Sequence, residues 1–321
     1  MELRNSTVLV TGGAGFIGSH LCRALVEADA DVVVVDDLST GRAPLVSSEG
    51  PVEPIDVRSD TLSSTIIDVS PDAIVHLAAI HYVPYCDEHP RETFEVNVLG
   101  TRQLLEAARR VPDLQKFVFA SSAAVYPPRA EANEESARLD PVDVYGETKL
   151  VGEDLVRLFA ADTDVPTALA RLFNVYGPNE TNSHLIPAIL MQIRDGRREV
   201  ELGNLTPRRD FVYVDDVVRA IIAMLTDFDG DCRPFNVGTG TTHSVREVVE
   251  VTSRALDDDI AITQDEGRTR ESDRPHLEAD VSRIRDELGW TPDVTFQEGI
   301  RRILSSGRIT AGEELSPGAD D

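Results

Sequence analysis

Tyr145 and Lys149 stand four positions apart in the segment YGETK, and Ser122 closes the apolar run KFVFASS earlier in the chain. Residues four apart on a helix share one face, so a phenol and an ammonium here lie side by side. With a nearby hydroxyl, such a pair can take the proton from a substrate O–H while its carbon loses hydride. A free phenol titrates near 10, so this work near neutral pH needs about three units of depression, or about 4 kcal/mol. An ammonium about 4 Å away, at an effective dielectric near 20, is worth about 4 kcal/mol, so one lysine together with a cationic hydride acceptor is sufficient in magnitude. Lysine occurs only at Lys116 and Lys149, against 29 arginines (31 basic residues less two). A guanidinium is bulkier and spreads its charge, so it replaces a point charge poorly. YxxxK is also a common helix-surface pair, and the spacing alone leaves both readings open.

Hydride needs an acceptor, and TVLVTGGAGFIGSHL near the N-terminus reads as a site for one. It places Gly12, Gly15 and Gly18 at a strand-to-helix turn, with Phe16 and Ile17 between the last two. The first glycine permits the sharp turn, the second lets backbone approach a pyrophosphate, and the third allows tight helix packing. The phosphates then rest on the helix N-terminus, where N–H groups and the dipole favour an anion. A glycine triplet alone is also compatible with a plain tight turn. Here a second strand follows and ends in Asp36, where a carboxylate can accept both ribose hydroxyls and repel a 2′-phosphate. The expected cofactor is therefore NAD and not NADP. Asp37 is read as a solvated loop residue without a role.

These groups need a scaffold, and the first half of the chain supplies one. Short β-branched runs at 7–10, 31–36, 73–78 and 116–121 alternate with helix-length segments at about 16–29, 91–110 and 143–161, and a further strand falls at 166–173. Strand and helix in series predict an α/β fold, a Rossmann-type doubly wound parallel sheet with helices on both faces. After it the pattern loosens into a smaller, interleaved C-terminal substrate lobe, with a helix near 184–195 and a late strand at 235–238. The expected division is a cofactor domain over 1–173 with returning elements near 210–240, a substrate lobe over 174–304, and a polar acidic tail over 305–321 without an apolar face.

Composition excludes several classes. The net charge of −26, from 57 acidic against 31 basic residues, supplies no basic patch for nucleic acid. Near 1 M salt the Debye length falls to about 3 Å and the self-repulsion is screened. Acid excess with two lysines resembles proteins from salt-loving archaea. No apolar run approaches the ~18 residues of a membrane span, and MELRNSTVLV enters a strand directly, so a cytoplasmic protein is expected. Cys22, Cys86 and Cys232 lie far apart and read as idle thiols. The seven histidines show no ligand spacing, so no metal is expected. His76 reads as a packed strand residue rather than a catalytic one, and His81 is given no role.

With Ser122, Tyr145 and Lys149 added to the glycine turn, the chain resembles the extended short-chain dehydrogenase/reductases of the nucleotide-sugar epimerase/dehydratase group. The segments DDLSTG, IDV, HLAA, NVLGT, SSAAVY, YGETK, RLFNVYGP and RRDFVYVDD occur in the order and spacing of that group, and the resemblance runs from TGGAGFIG to LGWTP. It implies that Ser122, Tyr145 and Lys149 are the catalytic trio, Tyr145 and Lys149 also touching the cofactor. It further implies that Asp56 and Val57 border the adenine, Leu77, Ala78 and Ala79 line the cofactor cleft, and Asn97 lies near the active site. Asn174 is implied to contact the sugar nucleotide, and Arg209 and Arg270 to grip its diphosphate. Guanidinium suits that task because it binds phosphate in a two-pronged way.

The resemblance also narrows the reaction. Dehydratases of the group carry an acidic pair after the active-site hydroxyl, and a decarboxylase is expected to place a carboxylate there, but Ser122 is followed by Ala123 and Ala124. A nucleotide-sugar 4-epimerase for UDP-glucose and UDP-galactose, or their N-acetyl forms, is the expectation. The alternatives are a 4,6-dehydratase or reductase of the same group, and a non-catalytic NAD-binding sensor. Leu277 falls where a tyrosine excludes the N-acetyl group in some epimerases, which leaves the sugar open. A homodimer is expected, since relatives pair through helices like 91–110 and 143–161.

Overall fold

The computed structural model describes residues 1–46, 50–180, 182, 184–265 and 274–307. From the N-terminus, β1 (Thr7–Thr11) leads through a glycine turn into α1 (Phe16–Glu27), followed by β2 (Asp31–Val35) and the short β3 (Val52–Glu53). Next, α2 (Asp60–Val69) returns to β4 (Ala73–His76), and α3 (Val83–Glu88), α4 (Pro90–Phe94), a π-helical segment (Glu95–Gly100) and α5 (Thr101–Ala108) lead to β5 (Lys116–Ser122). The long α6 (Val144–Thr163) connects β5 to β6 (Thr167–Leu172).

Later come β7 (Asn174–Tyr176), α7 (Leu185–Arg194), β8 (Glu199–Leu202), β9 (Arg208–Tyr213), α8 (Val214–Thr226) and β10 (Cys232–Val237). The described chain ends with β11 (Thr242–Ser244), α9 (Val245–Leu256), β12 (Ala261–Gln264), β13 (His276–Leu277), α10 (Ser282–Leu288) and α11 (Phe296–Ser306).

The large sheet has the order β3-β2-β1-β4-β5-β6-β10, and each neighbouring pair is parallel. This is a Rossmann-type doubly wound α/β fold, whose order reverses next to β1 and opens a crevice at the carboxyl ends of β1 and β4. Its strands read as unbroken apolar runs because both faces are covered. Val8 and Val10 of β1 pack with Leu21 and Leu25 of α1 and Ile221 and Met224 of α8. Leu9, between them, points the other way onto Leu62 of α2, Leu104 of α5 and Phe159 of α6.

The second half contributes α8, β10 and α10 to the large sheet, with Phe235, Ile284 and Trp290 in the first of those cores. Around them sits a smaller sheet in which β9 pairs with β7, β11 and β13, over a core of Tyr176, Ile189, Phe211, Val248 and Phe296. The expected helix over 91–110 is interrupted by the π segment at 95–100, and α11 runs through Ser306, so positions 305 and 306 are helical and not tail. Positions 308–321 of the expected tail lie outside the described residues.

Candidate active site

The glycine turn closes against the loop that leaves β4. Gly12 has φ +69°, and a Cβ there would lie 2.7 Å from the Ala78 nitrogen, so only glycine fits this left-handed crossing. A Cβ at Gly18 would lie 2.2 Å from the Gly12 carbonyl oxygen, which brings α1 tight under the turn. Gly15 is the N-cap of α1, with no side-chain cap and no acidic residue in the first turn. The N–H groups at the start of the helix, on Phe16, Ile17 and Gly18, have no intrahelical acceptor and suit an anion. At the end of β2 the buried Asp36 accepts from Ala14 N at 2.9 Å and from Leu38 N at 2.9 Å. Burial pushes its carboxyl above the ordinary value against those two donors. A Cβ at Gly41 would strike Asp36 Oδ1 at 2.5 Å, so the loop folds directly over the carboxylate. Asp37 is exposed and holds Ser39.

A dinucleotide fits these residues: a side-chain-free turn, open helix N–H groups, and a carboxylate one strand away.

Ser122 ends β5, two strands from the glycine turn in the large sheet. Its Oγ accepts from Ala124 N at 3.1 Å. Tyr145 and Lys149 lie on the first turns of α6, whose N-cap is Asp143, accepting from Gly146 N at 2.7 Å. Lys149 is buried, donates from Nζ to the Ala120 carbonyl at 2.9 Å, and sits over the rings of Phe119 at 5.0 Å and Tyr145 at 5.8 Å. Ser122 and Lys149 therefore both meet the end of β5, and Ser122 lies within interaction range of the Tyr145 phenol. The expected depression of the phenol is not what the folded chain alone produces. Burial raises Tyr145 above its ordinary value, with the Ser122 hydroxyl opposing and Cys86 and Asp143 reinforcing the rise. Burial likewise pulls Lys149 down to about 8.

Arg209 lies on β9, and Asn174 at the start of β7 pairs with Phe211, two residues along the same strand. Arg209 Nη1 donates to the carbonyls of Arg208 at 3.0 Å and Arg274 at 2.5 Å. Arg270 lies outside the described residues. Arg274, which sequence reading missed, is buried just before β13 and reaches Ala124, two residues after Ser122, and Asp143, two residues before Tyr145.

Residues 8–238 match the model of the NAD dependent epimerase/dehydratase family. The chain belongs to that family. Its members take NAD, and this family member is an NAD-dependent enzyme. A UDP-glucose 4-epimerase of Azospirillum brasilense is 33% identical over 97% of this chain and 95% of its own length. Among solved structures, UDP-glucose 4-epimerase from Thermotoga maritima with UDP-glucose is similar at a TM-score of 0.89 and 28% identity, covering 94% of this chain and 98% of that one. The Thermus thermophilus UDP-glucose 4-epimerase in complex with NAD gives 0.85 and 31%, covering 93% and 98%.

Other expected residues of this epimerase/dehydratase family member divide by how fully the fold already uses them. The Asn97 amide accepts from Ile80 N at 2.8 Å and donates to Ile80 O at 2.8 Å and Thr148 Oγ1 at 3.0 Å. Three of its four hydrogen-bonding positions thus face protein, and Asn97 ties the loop after β4 to α6. Asp56 is held by Arg58 through backbone N at 2.8 Å and Nε at 3.0 Å, and that pairing keeps its carboxyl below the ordinary value. Val57 is buried beneath Gly100. Leu77, Ala78 and Ala79 face the glycine turn through Ala78, whose N–H also donates to Thr11 Oγ1 at 3.3 Å.

His76 bonds Thr11 Oγ1 at 2.7 Å and Thr101 Oγ1 at 2.9 Å. Thr101 spends its own proton on Asn97 O, so His76 donates from Nε2 and accepts at Nδ1. Burial pushes His76 down to about 3, in keeping with a packed neutral ring. His81 bonds Asn182 and is pushed down to about 4, chiefly by burial. Leu277 is buried with Ala123, Val125 and Phe173. Among the described residues no group of three or more His, Cys, Asp or Glu could hold a metal, and no helix is long and apolar enough to cross a membrane.

Proposed function

We propose that this protein is a nucleotide-sugar 4-epimerase acting on UDP-glucose and UDP-galactose or their N-acetyl forms. The observation that carries the reading is Ser122 at the end of β5 within reach of Tyr145 on α6, in the same sheet as a glycine turn fitted to a dinucleotide, with two alanines after Ser122. Ala124 N–H occupies one lone pair of Ser122 Oγ, which leaves the Ser122 proton to donate to the sugar 4-oxygen. Tyr145 Oη takes the proton of that same hydroxyl, and returns it after the bound ketone has turned its other face. When bound, NAD supplies the hydride acceptor and a positive ring charge beside Tyr145. Lys149 adds the chain's own cation, 5.8 Å from the centre of the Tyr145 ring.

Arg209, with Arg270 and Asn174, is assigned to the substrate diphosphate and nucleotide. A dehydratase or decarboxylase needs an acid beside Ser122, and positions 123 and 124 are buried alanines, Ala123 in one cluster with Leu277 and Phe173. A non-catalytic sensor has no use for the Ser122, Tyr145 and Lys149 arrangement. The acidic composition supports a salt-rich cytoplasm as the working medium. Leu99 beside α5 and Leu158 on α6 are 54% and 62% exposed, which supports pairing of two copies through these helices.

Purified protein in strong KCl, mixed with UDP-galactose without added NAD, tests the reading. Formation of UDP-glucose is expected. The failure of any 4-epimer to appear across UDP-galactose and UDP-N-acetylgalactosamine rejects it.

A further inference from the structure

Arg274 is a cation placed where burial is costly unless every donor is used. Its side chain is 7% exposed and that of its partner Asp143 8%. Nη2 donates to Asp143 Oδ2 at 2.9 Å and to the Ala124 carbonyl at 2.9 Å. The other Asp143 oxygen caps α6 by accepting from Gly146 N, and a Cβ at Gly146 would lie 2.4 Å from Ala124 O. One guanidinium thus ties the loop two residues past Ser122 to the N-cap two residues before Tyr145. Its own carbonyl accepts from Arg209 Nη1, and it directly precedes Pro275 and β13, which pairs with β9 at Arg208 and Arg209.

We infer that Arg274 is a positioning residue of the reaction: it sets the separation of the Ser122 and Tyr145 hydroxyls and links that spacing to the strand carrying Arg209. The inference rests on the reading of Ser122 and Tyr145 as the reacting pair. A clamp of this kind acts on turnover more than on binding, since sub-ångström misplacement of reacting groups lowers the chemical step. It also has an electrostatic signature. The groups facing the Tyr145 phenol are Ser122 from β5, Cys86 from α3, and Asp143 and Lys149 from α6. Arg274 neutralises Asp143, so its loss exposes the phenol to an unpaired carboxylate.

The test compares Arg274→Met, Arg274→Lys and the double variant Arg274→Met/Asp143→Asn, in which the amide oxygen still caps α6. The double variant covers the case in which a lone buried Asp143 prevents folding. In the folded double variant kcat is expected to fall at least ~10-fold, while KM and UDP affinity stay within about threefold. Arg274→Lys recovers part of kcat. In Arg274→Met the acid limb of the kcat–pH profile moves to higher pH, and the double variant moves it back. A kcat within about twofold of wild type in the double variant, or a loss confined to KM and UDP affinity, overturns the inference. Should wild type convert no UDP-sugar, the function reading falls by itself. Amide exchange at Ala124 and Gly146 then decides the clamp, faster exchange in Arg274→Met supporting it and unchanged exchange overturning it.

Discussion

The Lys149 ammonium lies 5.8 Å from the centre of the Tyr145 ring and donates to the Ala120 carbonyl at 2.9 Å. Burial pulls this ammonium from 10.5 down to about 8, so it is charged below that pH and neutral above it. Its help to a phenolate therefore fades as pH rises through about 8, and turnover is expected to decline on that side. Between about 8 and 10.5 the unfolded chain binds more protons than the folded one, so the burial penalty, complete below that window, is relieved across it. Lys149→Arg stays charged throughout and is expected to lower kcat while removing the alkaline decline. Paired pH–rate profiles check this, and an identical alkaline limb in both proteins contradicts it.

Gly12→Ala places a methyl against Ala78 N in a left-handed backbone that costs ~1–2 kcal/mol for a non-glycine residue before any contact is counted. The expected result is a melting temperature lower by several degrees, about 2–4 °C per kcal/mol for a chain of this class, together with loss of the NAD released on denaturation. Gly196→Ala is the control, because Gly196 has φ +83° and nothing within 4 Å of its added Cβ. It should lose stability and keep its NAD; equal NAD content in the two variants counts against a turn built for the cofactor.

The net charge of −26 predicts a protein whose stability climbs with salt. Raising KCl from about 0.1 M to about 1 M shortens the Debye length from about 10 Å to about 3 Å, and the melting temperature followed by helicity should rise with it. Sucrose at matched osmolality should do less. A melting curve indifferent to KCl would remove the salt-adapted reading.

The parallel sheet could be read from the chain because its strands are buried on both faces and its helices have long apolar stripes. The smaller sheet was less legible. β7 and β11 have three residues each and β13 has two, too few to show an alternation, and α8 follows β9 without a break in a run of apolar residues. Among the site residues, the glycine turn, Asp36, Ser122, Tyr145 and Lys149 announce themselves by local spacing. Arg274 does not, being one arginine of 29 whose partner Asp143 is 131 positions away. The surroundings of Tyr145 are legible only in part for a related reason. The ammonium four residues on is visible in the letters, whereas the burial that raises the phenol belongs to the fold.

Tyr145→Phe removes one oxygen and leaves the packed ring, so it tests the central claim most directly. With UDP-galactose as substrate, kcat is expected to fall by about 10²–10⁴-fold, with NAD content, UDP affinity and melting curve close to wild type. A Tyr145→Phe protein that converts UDP-galactose at the wild-type rate would contradict the assignment of Tyr145 as the group that carries the proton.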